Sequence, residues 1–90
     1  MPIVSLCPSN TEILAYLGLT EHIVGVDHYS DWPHPVRSLP DLGPDLNINM
    51  NKVVELKPDL IVASLSVPGM ERHVAQLKDL GIPYLVLARD

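Results

Sequence analysis

One short stretch of this chain contains the residue types that could bind a metal ion. Asp27, His28, Asp31 and His34 follow one another closely after a short apolar run. The surrounding prolines argue against a helix that would hold these side chains on one face, and no standard zinc-ligand spacing is matched. We therefore interpret the four residues as solvated loop residues and predict no metal site.

Cys7 is the one side chain that could act as a nucleophile near a helix start, where a thiolate is stabilised. Phosphatases of the small thiol type need an arginine a few residues later, but this chain continues Pro-Ser-Asn-Thr-Glu-Ile. No G-x-G-x-x-G motif and no Walker lysine follow the first strand, so the chain lacks the usual sequence motifs for binding dinucleotides and nucleoside triphosphates. We interpret Cys7 as a small, inert core thiol and expect no enzymatic activity.

The aromatic residues suggest a different kind of site. Tyr29 and Trp32 lie on a predicted loop, where flat rings with a polar edge would suit a large planar ligand. Packing within a proline-rich loop explains them equally well, and both interpretations stay open. Tyr16 and Tyr84 fall inside a predicted helix and strand, where packing accounts for them. His22 and His73 have no partners nearby in sequence, and we assign them no special role.

The elements that must position these residues begin with a buried strand, Ile3–Leu6, which Pro8 ends. Ser9 and Glu12 have the spacing of a capping box, so a helix is predicted to start directly after the strand. Unpaired N–H groups at such a start can bind an anionic or polar ligand group in the turn Cys7–Thr11. The predicted apolar face and C-terminal cap of this helix are Ile13, Leu14, Leu17 and Gly18.

The remainder of the chain alternates strands with helices. Ile23–Val26 is a second strand, and Asp27–Asn49 is predicted to be a long irregular loop. Asn49 is a good N-cap for a short helix that buries Val53, Val54 and Leu56 and stops at Lys57-Pro58. The remaining predicted elements are a strand at Leu60–Ser64, a helix with Met70, Val74, Leu77 and Leu80 on its apolar face and Gly81 as its cap, and a strand at Tyr84–Leu87.

This alternation predicts an α/β fold with helices on both faces of a four-stranded parallel sheet in the flavodoxin-like order 2-1-3-4. The switch point then lies between the first and third strands. The loops Cys7–Thr11, Asp27–Trp32 and Ser64–Gly69 share its rim, where open parallel sheets bind their ligands.

Composition narrows the range of partners. The 90 residues carry a formal net charge of −5 without a basic cluster, so nucleic acid is not expected to bind. No stretch is long and apolar enough to span a membrane. Met1-Pro2 leads directly into the first strand, so we expect that any export signal has either been removed or never existed.

Four segments resemble the N-terminal lobe of the cobalamin-binding and siderophore-binding proteins of ABC importers, also called helical-backbone metal receptors. They are residues 3–14, 24–33, 53–63 and 76–83, and they include the motifs S-x-x-P-S-x-T-E and L-K-P-D-L-I. The resemblance implies two lobes joined by a rigid helix, with cobalamin, haem or a ferric siderophore between them as the transported ligand. The ligand-binding residues that it implies here are Pro8, Ser9, Asn10, Tyr29, Asp31, Trp32, Ser64, Ser66 and Val67.

Three expectations accompany this resemblance. Residues 1–90 form a single lobe, without the linking helix or second lobe. Family members commonly dock to the permease through a glutamate where this chain has Asn51, so Asp45 or Glu71 would have to substitute. The protein acts in the periplasm or on the outer face of the cell membrane if it is exported, although a cytoplasmic location stays open. The alternative is a stand-alone flavodoxin-like half-protein that forms homodimers and has no ligand function.

Overall fold

A computed structural model describes residues 1–44, 47–64 and 71–87. Its four strands form one parallel sheet in the order β2-β1-β3-β4, which confirms the predicted topology. The strands are β1 (Ile3–Ser5), β2 (Ile23–Val26), β3 (Leu60–Ser64) and β4 (Tyr84–Leu87). The helices are α1 (Pro8–Tyr16), α2 (Met50–Glu55) and α3 (Glu71–Leu80), with short 3-10 turns at Thr20–His22 and His34–Ser38. No helix in these described ranges is long and apolar enough to cross a membrane.

Both faces of the sheet are covered, as predicted. Successive side chains of a strand point to opposite faces, so Ile3 and Val4 belong to different cores. The α1 face buries a cluster that contains Ile3, Leu14, Ile23, Val26, Val36 and Val62. The α3 face buries a cluster that contains Val4, Leu6, Leu42, Ile48, Val53, Ile61, Ala63 and Leu77.

The start of α1 differs from the prediction. Cys7 is the N-cap residue, with extended backbone angles, and Pro8 is the first helical residue. Proline suits that position because its missing N–H would have no partner within the helix. No side chain caps the helix and Glu12 is exposed, so the predicted capping box of Ser9 and Glu12 is wrong.

The buried face of α1 is also not the predicted one. Leu14 is buried, but Ile13 is 44% exposed and Leu17 is 66% exposed. Asn10 and Thr11 are buried with Leu14 instead, because the helix turns this partly polar side toward the sheet. Tyr16 is 80% exposed, so core packing does not explain it. The predicted ending of the helix is confirmed, since Gly18 has a φ of 76°.

The segment after β2 is more ordered than an irregular loop. It contains the 3-10 turn His34–Ser38, and Leu42 and Ile48 reach the core of the α3 face. Residues 40–43 run beside β2, where the Leu42 N–H donates to the Val26 carbonyl at 2.9 Å. The chain thus covers the edge of β2 itself. This long-range pairing was not visible in the local turn signals.

The second half of the chain follows most of its predicted boundaries. The Asn49 side chain caps α2 by accepting from the Lys52 N–H at 3.2 Å. Leu77 is fully buried under α3, whereas Leu80 is 46% exposed, contrary to the prediction. His73 is buried instead. Val54 is also more exposed than predicted, and Met70 lies outside the described residues.

Candidate functional site

The candidate site lies at the carboxyl ends of β1, β2 and β3. The Asp27 N–H donates to the Ser5 carbonyl at 3.1 Å, and the Leu6 N–H donates to the Val62 carbonyl at 3.0 Å. These bonds hold the three strand ends side by side. The chain leaves β1 toward α1 and leaves β2 toward the long loop, so both connections start at one rim. The switch point between β1 and β3 is at the centre of this rim.

A line of hydroxyl groups connects the segments that meet there. The Oγ atom of Ser5 lies 2.7 Å from Oγ1 of Thr11, which lies 2.8 Å from Oγ of Ser30. The Ser30 hydroxyl donates to Oδ1 of Asp27 at 2.5 Å. We call these four residues the hydroxyl chain. It joins β1, the first turns of α1 and the loop after β2.

The hydroxyl chain is almost inaccessible to solvent. Ser30 is its most exposed member at 6%, and Asp27 is 1% exposed. A carboxylate in such a place must be hydrogen-bonded, because desolvation of an unpaired charge costs far more than one hydrogen bond returns. The second oxygen of Asp27, Oδ2, accepts from the Tyr29 N–H at 3.1 Å. Asp27 is therefore an anchor of the loop that carries Tyr29, and not one of the solvated loop residues that we expected.

The first turn of α1 forms the neighbouring part of the rim. Pro8 and Ser9 are half-buried, and Asn10 is 1% exposed. The Nδ2 atom of Asn10 has no hydrogen-bond partner within the part of the chain that the structure describes. The Cys7 thiol is buried, as expected of a core thiol, and its sulfur lies 3.4 Å from the Ser9 hydroxyl.

The structure separates the two aromatic residues of the loop. Tyr29 lies at the rim, 57% exposed, with its ring edge-on to His28 at 5.3 Å. Trp32 packs instead against Tyr16, with ring centroids 5.6 Å apart. Tyr16 is the last residue of α1, roughly 12 Å along the helix axis from Pro8 at the usual rise per residue. Trp32 therefore packs on the flank of α1, against its last residue.

The other predicted site residues fall into three groups. Ser64 ends β3 at the rim and is buried, and Asp31 is exposed with its carbonyl accepting from Nε of Arg37. Asn51 and Glu71 are exposed at the starts of α2 and α3. Ser66, Val67 and Asp45 lie outside the described residues.

An exposed ion pair lies beside the rim, at the end of β2. Nδ1 of His28 lies 2.7 Å from Oδ2 of Asp41, in the wall of an open groove of about 510 Å³ that also contains Lys52. The hydrogen bond to Asp41 raises the pKa of His28, and the nearby charge of Asp27 adds to this effect. The same bond, together with the Gly43 N–H, lowers the pKa of Asp41. In sequence Asp41 is far from His28, so spacing alone gave no signal of this pair. Within the described ranges no group of three or more His, Cys, Asp or Glu residues could hold a metal ion.

A parallel sheet of this order, with polar loops gathered at its switch point, is typical of α/β proteins that bind ligands at this edge. Residues 3–88 match the family model described as periplasmic binding protein. The chain belongs to this family.

The similar sequences come from transport proteins. The chain is 44% identical over 86 residues to an uncharacterized ABC transporter substrate-binding lipoprotein, YvrC, from Bacillus subtilis, covering 94% of this chain and 27% of that protein. It is 38% identical over 81 residues to a vitamin B12-binding protein from Yersinia pestis, covering 90% and 29%.

Solved structures show the same relationship. The periplasmic vitamin B12 binding protein BtuF of Vibrio cholerae superimposes with a TM-score of 0.84 at 37% identity, over 94% of this chain and 33% of that one. The periplasmic haem-binding protein RhuT from Roseiflexus sp. RS-1 gives 0.83 at 30% identity, over 97% and 33%. The chain thus spans about a third or less of the length of these relatives and corresponds to one lobe of a bilobal protein. These comparisons do not support the alternative of a half-protein that forms homodimers.

Proposed function

We propose that this chain is the ligand-binding lobe of a substrate-binding protein that supplies an ABC importer with cobalamin or a related metal chelate, such as haem or a ferric siderophore. The observation that carries the proposal is the rim at the β1/β3 switch point, where the first turn of α1 and the Tyr29 loop are joined through the hydroxyl chain. The relatives named for vitamin B12 and for haem support this choice of ligand class.

The chemistry of the rim suits a large, flat ligand. Tyr29 offers an exposed aromatic ring on a loop whose backbone is held by Asp27, so little side-chain or loop entropy is lost on contact. Pro8 and Ser9 add a small, half-buried surface at the start of α1, where N–H groups favour polar or anionic substituents. We assign the ligand contacts first to Pro8, Ser9 and Tyr29. Asn10, Asp31, Trp32, Ser64, Ser66 and Val67 stay in the proposed set as predictions.

The proposed lobe provides one wall of a cleft. A ligand that touches one wall buries less surface than a ligand held between two, so this chain should bind more weakly than a bilobal protein. The importer is the proposed partner, and Glu71 is an exposed acidic residue that could meet it where Asn51 replaces the usual glutamate. Asp45 is the other proposed docking residue. We place this function in the periplasm or on the outer face of the cell membrane.

Titration of the 90-residue chain with cyanocobalamin and with haem, followed by absorbance and calorimetry, tests the proposal. We expect saturable binding of one chelate, and a roughly tenfold weaker affinity for Tyr29→Ala, because an aromatic anchor contributes on the order of 1–2 kcal/mol. Tyr84→Ala is the matched control, since Tyr84 lies on β4, beyond β3 from the proposed site. Trp32→Ala shows whether the flank of α1 takes part. If the chain binds neither cyanocobalamin nor haem, the proposal that this lobe has a site of its own is contradicted.

A further inference from the structure

The composition of the hydroxyl chain is not what stability alone would favour. Burial of a carboxylate and three hydroxyls costs more desolvation energy than burial of apolar side chains of similar size. The remainder of the α1 face is filled by apolar residues such as Ile3, Leu14 and Val62. The buried polar residues of this face lie at the strand ends, in the first turns of α1 and in the loop after β2, where the candidate site lies.

The direction of the hydrogen bonds in this chain follows from the Asp27 carboxylate. The Ser30 hydroxyl donates to Oδ1 of Asp27, and this bond uses its single hydrogen. The Thr11 hydroxyl must then donate to Ser30. Its own hydrogen is thereby used, and Ser5 must in turn donate to Thr11. All three hydroxyls can therefore donate toward Asp27 through the shorter contacts, and the Cys7 carbonyl is a second, longer acceptor for Ser5 and Thr11 at 3.2 and 3.3 Å. Bonds aligned in one direction strengthen one another.

The same carboxylate also holds the backbone of the loop, because its second oxygen accepts from the Tyr29 N–H. We infer that Asp27 is a positioning residue: through Ser30 and Thr11 it locks the Tyr29 loop onto the first turns of α1, so that the two strand-end loops form one preformed wall. The role of this wall in binding rests on the proposed function. The locking itself is a property of the folded chain and can be tested without a ligand.

The locking is tested by amide hydrogen exchange of the 90-residue chain, measured by NMR. Thr11→Val removes the central hydroxyl while keeping the side-chain shape, and Thr11→Ser keeps the hydroxyl. We expect protection of the Tyr29 N–H to fall about fivefold to tenfold in Thr11→Val, the size of one lost hydrogen bond, and to be retained in Thr11→Ser. Ser38→Ala is the matched control for a serine hydroxyl, because Ser38 is exposed and its hydroxyl donates locally, to the Pro35 carbonyl.

The Ile61 N–H lies on β3 in the fully buried part of the sheet and donates to the Pro83 carbonyl, so it is the reporter of global unfolding. Equal losses of protection at Ile61 and Tyr29 in Thr11→Val would overturn the inference, because the hydroxyl would then serve overall stability alone. Unchanged protection of Tyr29 would overturn it as well. If Thr11→Val does not fold, Ser30→Ala removes the hydroxyl that bonds to Asp27 and so interrupts the hydroxyl chain. Its effect is measured by the exchange of the same two amides.

A binding measurement completes the test. We expect the Kd for cyanocobalamin to rise about fivefold to tenfold in Thr11→Val and to stay unchanged in Thr11→Ser. If Thr11→Val binds cyanocobalamin with unchanged affinity while Tyr29→Ala binds it more weakly, the inference that the locked loop forms a preformed binding wall is overturned. If the unsubstituted chain binds no cyanocobalamin, the proposed corrinoid function fails, and the exchange measurement still decides whether Asp27 locks the loop.

Discussion

The two faces of the sheet use the same strands for different purposes. Along β1, Val4 enters the apolar core of the α3 face, and the next residue, Ser5, begins the hydroxyl chain on the α1 face. Along β3, Ala63 lies in the apolar core and Ser64 follows it on the opposite face. Both faces contain fully buried side chains. Burial alone therefore does not distinguish the two faces. The polar atoms buried on the α1 face mark the candidate site, whereas the α3 face buries apolar side chains that support the fold.

The largest expected effect comes from the α3 face. Leu77 is fully buried, so Leu77→Ala should lower the free energy of unfolding by about 2–5 kcal/mol, through lost apolar burial and the cavity left behind. Urea unfolding followed by circular dichroism measures it. Leu80→Ala is the control on the same helix, because Leu80 is 46% exposed and should cost much less. Equal costs for the two variants would remove the contrast between the core and the outer side of α3.

A smaller effect is expected where β2 meets the α3 face. A Cβ atom at Gly25 would lie 2.6 Å from Cδ1 of Leu56 and 3.3 Å from Cδ1 of Leu42. Gly25→Ala should therefore cost about 1–3 kcal/mol by overpacking, measured again by urea unfolding. Truncation of the neighbour relieves the contact, so the double variant with Leu56→Ala should cost less than the sum of the two single variants. Strict additivity would show that the two side chains do not compete for space.

The smallest effect belongs to the edge of β2, outside both cores. The pKa of His28 is raised by its bond to Asp41, so the stability it contributes is full below its ordinary value of 6.5 and is lost as the pH rises through the raised pKa. The pKa of Asp41 is lowered, so its contribution is present above its ordinary value of 3.8 and is lost as the pH falls through the lowered pKa. The pair therefore stabilises the fold most between these two values.

His28→Asn should remove this dependence. We expect the urea midpoint of the unsubstituted chain to fall slightly between pH 5.5 and 8.5, and that fall to shrink in the variant. His34→Asn is the control, because His34 is an exposed histidine of the same loop. The assignment to His28 fails if His34→Asn removes the pH dependence and His28→Asn leaves it.

Local signals in the sequence were sufficient for the fold. The strands are short apolar runs, and Gly18, Asn49 and Gly81 marked helix ends where the structure has them. The orientation of α1 could not be predicted in the same way. Apolar periodicity selects Ile13 and Leu17, but the helix buries Asn10 and Thr11, because a hydroxyl chain that spans three segments replaces apolar contacts there.

The candidate site was only partly visible for a related reason. Tyr29 and Trp32 are both aromatic residues of the same loop. What distinguishes them is the contact of Trp32 with Tyr16, a residue distant in sequence. Asp27 and His28 are adjacent, yet one is buried in a network and the other is paired with Asp41 on the surface. Such distinctions depend on partners distant in the chain, which spacing does not encode.

The pairing of residues 40–43 with β2 has a consequence for how the sheet can be extended. This segment already occupies the backbone groups on the outer side of Val26, so a further strand finds no place there. In the described part of the chain β4 pairs with β3 alone, and its residues Tyr84 and Leu85 are partly exposed. A further strand could therefore not pair along the whole of β2, and a strand added by protein engineering would join more readily at β4.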